Sequence, residues 1–161
     1  MRRFRWLGAA ALSVGLIFAA PATAGYFRDV TRPLHVKDRL DRVKTSHGYY
    51  CPNHGGCAAA PYRPHPKPRL KARPREHIVL ILRRPAKKVT VELTKPDPAD
   101  PTGPKTLGRA KAHPAGRHHQ RWRFRLPPRT SSATSLDIKV SYAHGSSFYF
   151  AGIHVIGTLL P

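Results

Sequence analysis

Residues 121–142 read RWRFRLPPRTSSATSLDIKVSY. Two runs in this stretch alternate with a period of two. Trp122, Phe124 and Leu126 fall on one side, with Arg121, Arg123 and Arg125 on the other. After Pro127 and Pro128, the residues Leu136, Ile138, Val140 and Tyr142 again share a side. An extended chain turns successive side chains to opposite faces, so the pattern predicts two strands, each buried on one face. The proline pair between them removes amide donors and ends the first strand.

The same texture extends in both directions. Residues 77–82, HIVLIL, form a continuous apolar run, as expected of a strand buried on both faces. Residues 88–93, KVTVEL, alternate strictly, and the short connection at 83–87 predicts a hairpin between these two runs. Residues 94–105 hold Pro96, Pro98, Pro101 and Pro104 and read as a loop. A weak strand over 106–112 and a second loop over 113–120 follow. The last strand, 148–156, carries Phe148 and Phe150 in one phase and Ile153 and Val155 in the other. That slip predicts a bulge at Ala151 and Gly152.

About six strands with frequent turn signals and no convincing helix predict an all-β, antiparallel sandwich over residues 76–161. Over about residues 76–158 the strand spacing and Trp122 resemble a small immunoglobulin-like or fibronectin-III-like domain. The Cys–Trp–Cys pattern of true immunoglobulin domains is absent, because both cysteines precede the domain. A domain this small leaves much of the core to Trp122, Phe124, Tyr142, Phe148 and Phe150.

The N-terminus reads as an address. Residues 1–24, MRRFRWLGAAALSVGLIFAAPATA, place Arg2, Arg3 and Arg5 before an apolar stretch, then a helix-breaking Pro21 and an A-x-A site. This is the pattern of a secretory signal peptide cleaved after Ala24. The apolar run of about 14 residues falls short of the roughly 20 that span a bilayer. A secreted or periplasmic protein with no integral span after cleavage is expected. The 161 residues carry 29 Lys and Arg against 8 Asp and Glu, a formal net charge of +21. Cleavage removes three arginines and no acid, so the excess falls only from 21 to 18. The charge belongs to the working protein.

Residues 25–57 read as an N-terminal arm, with one short helix or an extended chain at 33–44. The arm ends in CPNHGGC, residues 51–57. In an exported chain Cys51 and Cys57 most simply form a disulfide. The alternative is a copper or zinc site using Cys51, Cys57, His47 and His54. Residues 58–75 interleave proline with lysine and arginine and read as a charged polyproline linker.

Few chemical constellations remain. Eight carboxylates spread along the chain argue against a hard-cation site. Ser146 and Ser147 beside His144 lie in a glycine turn, and no nucleophile motif surrounds them. No enzyme activity and no cofactor are expected. His113, His118 and His119 form the densest imidazole group and extend the metal alternative, opposed by Arg117 and Arg121. A small secreted hydrolase is a second alternative, since sandwiches host enzymes. The leading expectation is a cell-envelope binding or structural protein. Arg121, Arg123 and Arg125, about 6.6–7 Å apart along one strand face, form an anion-binding stripe. Lys139 and Lys88 join it if their strands are neighbours. The partner is then an anionic envelope polymer or protein, with nucleic acid bound only non-specifically.

Overall fold

The structure, a computed structural model, describes residues 21–39, 41–57, 67–97, 99–128, 130 and 132–156. Among the described residues one helix, α1 (Pro21–Thr31), precedes eleven strands. These are β1 (His35–Lys37), β2 (Arg42–Lys44), β3 (Ser46–Pro52), β4 (Arg69–Ala72), β5 (His77–Ile81) and β6 (Lys88–Asp97). Then follow β7 (Asp100–Lys111), β8 (His113–Pro114), β9 (Arg121–Arg125), β10 (Ser135–Ser141) and β11 (Gly145–Val155).

The chain is all-β in class, with two sheets and a sandwich-like architecture. A five-stranded sheet runs β2-β1-β5-β9-β8. A six-stranded sheet runs β3-β11-β10-β6-β7, with β4 also beside β11. Every pairing is antiparallel except β4 with β11. The alternation read from the sequence sets the layers. Val36, Val43, Ile78, Leu80, Trp122 and Phe124 face inward from one sheet, and Val89, Val91, Leu93, Leu136, Ile138 and Val140 from the other. All are buried. At ~25 cal/mol per Å² of apolar surface, this shared core is the main source of stability.

Several expectations change in the folded chain. The runs at 77–82 and 88–93 do not form a hairpin: β5 pairs β1 and β9, while β6 pairs β10 and β7. The connection crosses from one sheet to the other. Nor is β5 buried on both faces. Ile78 and Leu80 are buried, whereas Val79 and Ile81 are half-exposed. The proline segment at 94–105 is not a loop. It prolongs β6 and β7 as a two-stranded ribbon, pairing Lys95 with Lys105 and Pro96 with Pro104.

The last strand keeps its phase. Ser147, Tyr149, Ala151, Ile153 and Val155 point inward, and β10 pairs continuously through Ala151 and Gly152. The irregularity lies instead opposite Phe148 and Tyr149, where β3 skips Gly48. Phe150 lies over Gly48, and a Cβ there would run into its ring. Phe148 and Phe150 therefore share the side of β11 turned away from the other sheet, where Phe150 is still buried and Phe148 is half-buried, and Tyr149 joins the core between the sheets.

The N-terminal boundary also moves. Residues 25–57 carry β1, β2 and β3, strands of both sheets. The segment at 33–44 is neither a helix nor a free extended chain. It is a hairpin in which Val36 pairs Val43. Residues 58–66 lie outside the described residues. Within the rest of the expected linker, β4 buries Leu70 and Ala72 and pairs along one edge of the sheet. Pro68 and Pro74 flank the strand, where no ladder donor is needed.

Pro21 is the first described residue of α1, and a proline is tolerated in a helix's first turn. The helix is fastened at its C-terminal end. The last carbonyls of a helix have no intrahelical donor. The Val30 carbonyl is met by the Ser147 hydroxyl at 2.6 Å and by the Tyr149 hydroxyl. Asp29 pairs with Arg84 at 2.8 Å, and Tyr26 packs edge-on to His144.

Candidate functional site

The outer face of the five-stranded sheet gathers cations because of its register. Lys37 stands beside Arg42 on one side and Val79 on the other. Val79 pairs Arg123, which pairs His113. The next row runs Lys44, His35, Ile81, Arg121. A third pair sets His77 against Arg125. Since paired residues in a sheet share a face, these side chains form one surface. The cationic ones are all exposed.

None of the strands in this sheet contains Asp or Glu. The field of the arginines and lysines is therefore not neutralised within the face. Arg125 is steadied by donating its Nε–H to the Arg75 carbonyl at 3.0 Å. Burial, and then the charges of Arg42, Lys44 and Arg83, hold the His35 imidazole below its ordinary value. Its Nδ1 is buried without a hydrogen-bond partner among the described residues. His35 thus stays neutral where a free histidine starts to protonate.

Lys88 and Lys139 do not join this stripe. They lie on β6 and β10 of the other sheet, on the opposite side of the sandwich. Their surroundings differ too. Asp137 pairs Glu92 across the strands, and Glu92 is bridged to Arg109 at 2.9 Å. Lys139 reaches over the Phe148 ring, 5.3 Å from its centroid, and that ring stacks on Tyr49. Charge on that face is mixed and locally paired.

The expected metal ligands are dispersed. Cys51 and Cys57 form a disulfide, so neither offers a thiolate. His47 lies half-buried on β3, edge-on to Tyr149, and burial holds its imidazole below the ordinary value. His54 is exposed in the disulfide loop. His113 belongs to the cationic face. His118 is exposed, and the backbone carbonyl of His119 accepts the Trp122 indole N–H at 2.9 Å and the Ala86 amide at 3.1 Å. That turn therefore satisfies the one polar atom of a core tryptophan. Among the described residues no three His, Cys, Asp or Glu side chains cluster as a metal site would require.

The serines near His144 are committed elsewhere. Ser147 is buried on the Val30 carbonyl, and Ser146 lies 3.2 Å from the Ser141 hydroxyl. The His144 ring packs against Tyr26. Burial, first of all, raises both the Tyr142 and Tyr149 hydroxyls above the ordinary tyrosine value, so both stay protonated within their 3.3 Å contact.

Lys37, Arg42 and Lys44 carry almost no signal in the sequence. Their strands are HVK and RVK, each three residues long with a central valine, too short for periodicity to register. No helix among the described residues is long and apolar enough to cross a membrane. No protein-family model, no curated protein and no solved structure matches this chain.

Proposed function

We propose that this chain is an exported, non-enzymatic binding protein of the cell envelope, and that the outer face of its five-stranded sheet docks anionic partners. Residues 1–24 act as its cleaved signal peptide. A cysteine pair joined as a disulfide suits an oxidising, extracytoplasmic setting. The sandwich is of immunoglobulin-like type. Supporting that type, β1, β5, β9 and β8 follow the order A-B-E-D, and β11, β10, β6 and β7 follow G-F-C-C′. On this reading β2 and β3 are additions along the sheet edges.

The observation that carries the function is the carboxylate-free face holding Arg121, Arg123 and Arg125 on β9 opposite Lys37, Arg42 and Lys44 on β1 and β2. Guanidinium groups at alternate strand positions make charge-assisted contacts with phosphate, sulfate or carboxylate. Nothing on the opposite face matches this field, because Glu92 and Asp137 interrupt it.

Salt titration of heparin binding tests the reading. Log affinity should fall linearly with log salt. Replacing Arg121, Arg123 and Arg125 by Gln should flatten the slope by about one for each guanidinium that no longer meets an anion. The double variant Lys88→Gln, Lys139→Gln should leave the slope close to wild type. Affinity indifferent to salt, or equal weakening in the two variants, would sink the proposal.

A further inference from the structure

The cationic face also carries histidines, and register sets two of them directly against arginines. On β9, Arg123 pairs His113 of β8, and Arg125 pairs His77 of β5. Paired residues of an antiparallel ladder hold their Cβ atoms about 4.5–5.5 Å apart on one face. Both imidazoles are exposed, as are both guanidinium-bearing side chains. An anionic group held by either arginine is therefore close to a side chain of the type that changes charge between about pH 5 and pH 8.

The surroundings of the two rings are cationic. His113 lies on the edge strand, where β9 is its neighbour in the sheet, and Arg121 and Arg125 stand diagonal to it there. Lys111, at the end of β7, and Arg117 bracket it along the chain. His77 has Arg123 diagonal on β9 and Lys37 diagonal on β1. Glu76, next to His77 in the chain, accepts the Arg73 amide through Oε2. Asp38, which follows Lys37, is buried and accepts the Asp41 amide. His35 differs from these two rings. It stands half-buried between Lys44 and Ile81, with Arg42 diagonal, and takes its proton later than a free histidine does.

Like charges opposite each other in a ladder repel. A proton on His77 or His113 adds to that repulsion while the face is empty. An anion seated between imidazole and guanidinium offsets it and favours the charged ring. Proton and anion thus favour each other's binding, and the coupling is reciprocal. Resting on the docking face proposed above, we infer that His77 and His113 make docking acid-strengthened. The occupied face takes up protons at these two rings, so it holds more protons than the empty one, and affinity rises as pH falls.

Dextran sulfate is the probe, because its sulfate esters keep their charge between pH 7.5 and pH 5.5. Its binding to the full-length mature chain is measured at these two pH values and one ionic strength. Affinity should rise about tenfold toward pH 5.5. The variant His77→Gln, His113→Gln should match wild type to within about twofold at pH 7.5 and lose most of the gain. The variant His54→Gln, His154→Gln removes two exposed histidines of the disulfide loop and β11, away from this face, and should keep the gain. All four histidines are exposed, so the variants change charge and not the core, and melting temperatures at both pH values check that each is folded. Equal wild-type affinity at the two pH values overturns the inference and leaves the docking face standing. So does a folded His77→Gln, His113→Gln variant that keeps the whole gain, or a His54→Gln, His154→Gln variant that loses as much of it. Failure of the wild-type chain to bind dextran sulfate at either pH overturns the docking face and the inference together.

Discussion

The carbonyl of Val30 shows how much one buried acceptor organises. It ends a helix, is shut away from water, and takes donors from both Ser147 and Tyr149. Either donor alone leaves the oxygen paired, whereas removing both leaves a buried acceptor unmet. Ser147→Ala and Tyr149→Phe should each cost about 1 kcal/mol, and the double variant should cost about 1–3 kcal/mol beyond their sum. Denaturant midpoints of the three variants check this. Strict additivity would mean that the helix end is not held through that oxygen. A single sequence does not reveal such a residue: Ser147 looks like a turn serine beside His144, and only the fold brings it to a helix over a hundred positions away.

At the level of elements, residues 69–72 illustrate where composition misleads. Prolines and basic residues around Leu70 make the segment look like a solvated spacer. The alternation Arg69, Leu70, Lys71, Ala72 is only a strand's worth of signal. Yet β4 pairs β11 from Gly152 to Val155, and Leu70 is fully buried. Leu70→Ala should therefore cost about 2–5 kcal/mol, the range of a core truncation, where the same change in a spacer would cost next to nothing. Thermal or denaturant unfolding decides the matter, and a destabilisation below about 0.5 kcal/mol would return the segment to linker status. The strands of residues 121–142 were legible because each holds several inward apolar residues in one phase. The partner of β5 was not legible. Short connections serve hairpins and sheet-to-sheet crossings alike, and local pattern does not distinguish them.

For the whole molecule, the charge excess and the histidines set the response to acid. His35 and His47 both have their folded-state values lowered from 6.5, mainly by burial. The unfolded chain then binds more protons than the folded one below that value. Stability accordingly rises with pH through this window and declines as pH falls below about 6.5. Replacing His47 by Phe, which keeps an aromatic ring against Tyr149, should reduce the drop in Tm between pH 7.5 and pH 5. The two melting temperatures of each protein provide the check, and an undiminished drop in the variant would show that His47 carries none of the effect.

The sequence by itself determined the all-β class, the alternating core of β6, β9 and β10, the local disulfide and a charge excess that survives removal of residues 1–24. These follow from nearest-neighbour chemistry: side-chain alternation, proline geometry and net charge require no knowledge of distant residues. Tertiary structure alone decided which strands share a sheet. That decision put Lys88 and Lys139 across the sandwich from Arg121, Arg123 and Arg125. It brought Lys37, Arg42 and Lys44 beside them instead. A binding face is a set of residues from separate strands, and its membership is fixed by pairing and register, which depend on how all the apolar faces are buried at once.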